Sequence, residues 1–83
     1  MSDTKQEPAP PREDVGAQAA RYRANLQGEV DGAALYRALA EVESNPRIAD
    51  VYRRLAAIEE AHADLWRRQL ARIGKRAGKL RPA

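Results

Sequence analysis

Residues 51–66 read Val51-Tyr52-Arg53-Arg54-Leu55-Ala56-Ala57-Ile58-Glu59-Glu60-Ala61-His62-Ala63-Asp64-Leu65-Trp66. The apolar side chains at 51, 52, 55, 58, 65 and 66 recur at steps of three, four and seven, the period of one face of an α-helix. Two polar residues, Glu59 and His62, fall on that same face with core-type residues on either side. They stand one helical turn apart and point the same way. A carboxylate on an apolar face is costly to bury unless a cation or a proton accompanies it.

Outward from this stretch, the same period runs from about Pro46 to Ile73, taking in Ile48 and Leu70. Asn45 suits the cap of this helix, Pro46 its first position and Gly74 its stop. A second helical pattern precedes it, from about Val15 to Glu43, carried by Leu26, Val30, Ala33, Leu35, Tyr36, Leu39, Ala40 and Val42. Gly16, Gly28 and Gly32 each weaken that helix by about 1 kcal/mol relative to alanine. Ser44-Asn45-Pro46 separates the two patterns, and no sustained alternation suggests a strand. The expected fold class is all-α: an antiparallel two-helix hairpin over residues 15–74, each helix roughly 40 Å long at about 1.5 Å per residue. Residues 1–14, with Pro8, Pro10 and Pro11, read as a disordered arm, and residues 75–83 as a basic linker.

Two helices cannot enclose a core between them, so each leaves an apolar flank open. Two hairpins are therefore expected to associate as a homodimer, forming a four-helix bundle. The remaining composition is consistent with this. The chain has 83 residues and no cysteine, so disulfides, thiolate metal sites and cysteine nucleophiles are excluded. No apolar run is long enough to span a membrane, and the N-terminus lacks the apolar segment of a signal peptide. The net charge of +3 divides into seven basic and no acidic groups in residues 67–83, and eight basic against twelve acidic in residues 1–66.

The chemistry-bearing residues meet by register. On the first helix Glu29 interrupts the stripe Tyr22, Leu26, Ala33, Tyr36, Ala40. With the turn centred between Ser44 and Asn45, residues whose numbers sum to about 89 lie at equal height, so Glu29 faces the Glu59–His62 turn, about 23 Å from the loop. A carboxylate from one helix and a Glu-x-x-His from the next is half the ligand set of a carboxylate-bridged dimetal bundle. Two hairpins would bring four carboxylates and two imidazoles, matching the charge of two divalent ions. Metal-free, the carboxylates would repel and partly protonate. Oxygen and imidazole donors favour iron or manganese, with zinc as a substitute. Tyr36, about two turns from Glu29, is a candidate hydrogen-bonding or redox-active neighbour.

Plainer roles exist for each residue. His62 alone reads as a core histidine, and Glu29 alone as half of a salt bridge to Arg53 or Arg67 of a partner. Tyr22, Tyr52 and Trp66 read as packing residues, and Glu60 as paired with Arg67 or Arg68 on the wet face. Asp31 faces elsewhere, and Glu41 and Glu43 decorate a helix end. The basic tail reads as a solvated linker, with a membrane surface as its alternative contact and no nucleic acid expected. The coincidence of three ligand types at one height favours the metal site.

The stretch Arg21–Ala40, with Glu29 and Tyr36, followed by Val51–His62, with Glu59-x-x-His62, resembles the short ferritin-like domain of the rubrerythrin type. It is most similar to the cytoplasmic N-terminal domain of bacterial vacuolar-iron-transporter-family proteins, and it also resembles encapsulated ferritins, half-ferritin hairpins that dimerise around a di-iron site. The resemblance covers about residues 19–74. It implies two irons per dimer held by Glu29, Glu59 and His62, with Tyr36 nearby, and oxidation of Fe(II) to Fe(III). It also implies a cytoplasmic setting, beside a membrane transporter domain or inside an encapsulin shell. No membrane-spanning helix follows the basic tail within these residues, and no apolar cargo-targeting peptide ends them. Two other functions remain consistent with the residues: an iron-sensing or iron-delivery domain without turnover, and a metal-free structural hairpin for protein interaction.

Overall fold

The computed structural model describes residues 14–83; the N-terminal arm expected at 1–14 lies outside them except for Asp14. Helix α1 spans Val15–Val42 and helix α2 spans Pro46–Arg72, packed antiparallel, and no strand occurs among the described residues. The caps explain the boundaries. Asp14 accepts a 2.7 Å hydrogen bond from the Ala17 amide at the start of α1. Asn45 accepts from the Arg47 and Ile48 amides, with Pro46 beginning α2. Gly74, at φ 74°, ends α2. Its amide donates to the Ala71 carbonyl and the Lys75 amide to that of Leu70, the paired bonds of a Schellman stop.

The buried residues form a single seam. On α1 they are Ala19, Leu26, Ala33 and Ala40; on α2, Ala49, Ala56, Ala63 and Leu70. Each set repeats every seven residues, and matched in antiparallel order (Ala19 with Leu70, Leu26 with Ala63, Ala33 with Ala56, Ala40 with Ala49) every pair sums to 89. This is the register expected from the turn position. Six of the eight are alanine, so the helix backbones approach closely. A strict heptad, at 3.5 residues per turn, keeps such a seam facing its partner along both helices.

The larger apolar residues flank this seam. Tyr22, Val30, Trp66 and Ile73 pack against its end near Leu26 and Leu70, together with Ala77 and Leu80 of the tail. The tail has no regular secondary structure and runs back beside α1. Arg23 donates to the Arg76 carbonyl (2.9 Å) and Gln27 to the Arg81 carbonyl (2.7 Å), while the Ala83 amide donates to Asp31 (2.7 Å). The tail thus covers one flank of the hairpin. The other is left uncovered by the tail. Leu35, Val42, Ile48, Val51, Ile58 and Leu65 remain exposed, Val42 by 80%; all but Ile48 stand two residues past a seam position, on the outer faces of the helices. No described helix is long and apolar enough to cross a membrane.

One expected pairing is corrected. Glu60 does not pair with Arg67 or Arg68 along its own helix; it reaches across to Arg37 on α1. Arg67 instead pairs with Asp64, three residues earlier, at 2.9 Å. Arg37 and Glu60 are not level in the antiparallel register, so two long side chains lean along the tail-side flank to meet, a proximity that spacing along one helix cannot reveal.

Leu26, with no exposed surface, is one of two leucines in a seam otherwise built of alanine. Leu26→Ala is expected to destabilise the protein by about 2–4 kcal/mol, measured by urea unfolding. A loss below about 1 kcal/mol would show that the seam does not carry the hairpin.

Candidate metal centre

Next to the seam, on the open flank, lie three cross-helix pairs, each summing to 88. Tyr22 and Trp66 have ring centroids 5.5 Å apart, and Tyr36 and Tyr52 stack at 6.3 Å. Midway between these aromatic layers, seven residues from each, Glu29 meets Glu59. Both glutamates are half-buried. Aromatic and carboxylate layers thus alternate along one flank, each a heptad apart, for the same reason that the seam does.

His62, one turn beyond Glu59, completes a cluster. One ligand atom from each of Glu29, Glu59 and His62 lies within 4.8 Å of the other two. Among the described residues this is the sole such group of three. His62 Nδ1 stands 3.5 Å from Glu29 Oε2, and the His62 side chain is 52% exposed against 22% for Glu29. Asn25 and Trp66 line the same open cleft. The arrangement is two carboxylates on a partly dry flank with an imidazole at the solvent edge.

The electrostatics of the carboxylate pair follow from its geometry. A hydrogen bond with Glu29 pushes the Glu59 carboxyl above its ordinary value of 4.5. Desolvation and the negative charge of Glu29 act in the same direction, and His62 opposes them. The two carboxyl groups therefore face each other closely, and a proton or a cation between them would relieve their repulsion. Hard oxygen donors and one imidazole suit iron, manganese or zinc.

The other candidate, Tyr36, is held apart from this cluster. It is half-buried in the stack with Tyr52, toward the turn, and does not line the cleft. Tyr22, Tyr52 and Trp66 pack in ring pairs as expected, with the Tyr22 hydroxyl accepting from Gln18 Nε2 at 3.0 Å. Asp31 faces away, accepting from Gln27 and from the Ala83 amide of the tail. Asn25 is a cleft residue that sequence reasoning missed; its only signal is its place four residues before Glu29.

A family model described as Rubrerythrin matches residues 23–82. The chain belongs to the rubrerythrin family. Rubrerythrin domains are ferritin-like and typically bind iron, and the Glu29, Glu59 and His62 cluster is the candidate site for it in this rubrerythrin-family chain. The match extends beyond α2 to residue 82, so it includes the tail docked beside α1. No curated protein and no solved structure matches the chain.

The raised Glu59 carboxyl has a pH signature. A carboxyl whose value is raised on folding contributes stability that is fully present below its unfolded value of 4.5 and is lost as pH rises through the folded value. The metal-free protein is therefore expected to melt at lower temperature as pH rises above 4.5. In Glu59→Gln an amide can donate to Glu29 at every pH, so the melting temperature at neutral pH should rise and that part of the slope should flatten. Thermal melts with chelator from pH 4.5 upward check it; an unchanged slope in Glu59→Gln would refute the raised carboxyl.

Proposed function

We propose that this chain is an iron-oxidising module that works as a homodimer, with Glu29, Glu59 and His62 of each copy as ligands. The observation that carries this is the placement of two carboxylates and an imidazole within 4.8 Å of one another on the hairpin's open flank. A single hairpin offers three protein ligands, half of the four-Glu, two-His complement of a dimetal bundle. Pairing two copies through the flank that carries this cluster, which the tail leaves uncovered, would bring the two half-sites together. Four carboxylates then balance two divalent ions. Without metal they repel, so Fe(II) binding should tighten the dimer.

Within such a site the protein's own groups do the following. Glu29 and Glu59 would hold the cation as carboxylates, so any proton on Glu59 would leave as metal binds. His62, at the exposed edge, donates a nitrogen lone pair from the side nearest solvent. The Tyr22–Trp66 and Tyr36–Tyr52 layers narrow access for water along the flank. Iron held by Glu29, Glu59 and His62 would supply the redox chemistry, with oxygen or peroxide as the electron acceptor. Tyr36, a layer away, acts through packing with Tyr52. The docked tail leaves the open flank available for pairing, whether the domain serves a membrane transporter or an encapsulin shell.

Glu29→Ala and His62→Ala are each expected to weaken Fe(II) binding at least tenfold and to reduce Fe(III) formation to the uncatalysed rate. Anaerobic titration, absorbance after oxygen addition and sedimentation with and without Fe(II) measure the three properties. Parent-like binding in both variants would reject the ligand assignment. Tight, reversible binding without accelerated oxidation would instead identify an iron-sensing or delivery domain. Dimerisation and melting unaffected by Fe(II) would identify a structural hairpin.

A further inference from the structure

Helix α1 carries two glycines beside Glu29, at 28 and 32, in a run otherwise rich in good helix formers. Glycine weakens a helix interior because it has more backbone freedom to lose. The two positions differ in what surrounds them. A methyl group at Gly28 would meet nothing within 4 Å. At Gly32 it would lie 2.9 Å from Glu59 Oε2, 3.3 Å from Cδ and 3.4 Å from Cγ. The three nearest atoms all belong to Glu59, and neither backbone nor core side chain is among them.

We infer that Gly32 is a positioning residue for the metal site: its missing side chain seats the Glu59 carboxylate against the α1 backbone, within reach of Glu29 and His62. This rests on Glu59 being a metal ligand. The contact at 2.9 Å is too short for a carbon and a carboxylate oxygen, so a methyl group at 32 must displace something. What yields is the end of a flexible side chain, so the helices need not separate. Glu59 turns away, and its oxygen leaves the position from which it meets the other two ligands. Alanine at 32 therefore acts in opposite directions on fold and site. It favours the helix and disfavours the ligand geometry.

The test compares Gly32→Ala with Gly28→Ala in the full chain, using melting of the metal-free protein and anaerobic Fe(II) calorimetry. Both variants are expected to melt about 4 °C higher than the parent, because alanine is the better helix former. Gly32→Ala alone should lose about ten- to hundredfold in Fe(II) affinity, the range seen when a residue supporting a metal ligand is changed. The loss should vanish in a Glu59→Gln background, where Gly32→Ala has no ligand left to displace. Parent-like Fe(II) affinity in Gly32→Ala, beside a weakened Glu59→Gln, would overturn this inference and leave the ligand reading intact. A melting temperature of Gly32→Ala below the parent, or an equal affinity loss in the Glu59→Gln background, would also overturn it, since the methyl would then be disturbing more than the carboxylate. Parent-like affinity in Glu59→Gln would overturn both.

Discussion

The close approach of two helices along an alanine seam is the constraint on which the rest of this hairpin depends. Because six of the eight buried positions are alanine, the side chains next to the seam are forced into contact across it. On one flank these are Tyr22 with Trp66, Tyr36 with Tyr52, and Glu29 with Glu59. Larger seam residues would hold the helices apart and let the two glutamates point separately into water. Dispersion between closely packed backbones and the coverage provided by the aromatic pairs offset the cost of bringing two carboxyls together.

That cost shows in the raised Glu59 carboxyl. The approach of Glu29 and Glu59 marks the point where the metal-free fold conflicts with itself, and a divalent cation would resolve the conflict. The conflict lies on the flank that the tail leaves uncovered. A second hairpin carrying the same cluster would meet it there once cations are present.

The two flanks are treated differently. On one, the chain covers itself: Ala77 and Leu80 pack against the seam's end, and backbone groups of residues 76–83 bond to Arg23, Gln27 and Asp31. There too, Arg37 and Glu60 form an ion pair in water, an interaction of small energetic weight. On the other flank nothing from the chain's own described residues intervenes. The asymmetry leaves the ligand-bearing side accessible while the hairpin still buries more apolar surface than two helices alone could.

The sequence by itself determined two helices, their ends, their register and the height at which Glu29 meets Glu59 and His62. These follow from period, capping residues and a short turn, all of which are local, and the position of the turn then dictates which residues stand level. The pairing of Glu60 with Arg37, the docking of the tail on one flank only, and the seat that Gly32 provides for Glu59 belong to the tertiary structure. Each depends on how near the backbones come and which way each helix is rotated about its axis. Spacing along one helix identifies the face on which Gly32 lies, but the 2.9 Å between its missing methyl and a carboxylate of the other helix exists only once the alanine seam has closed.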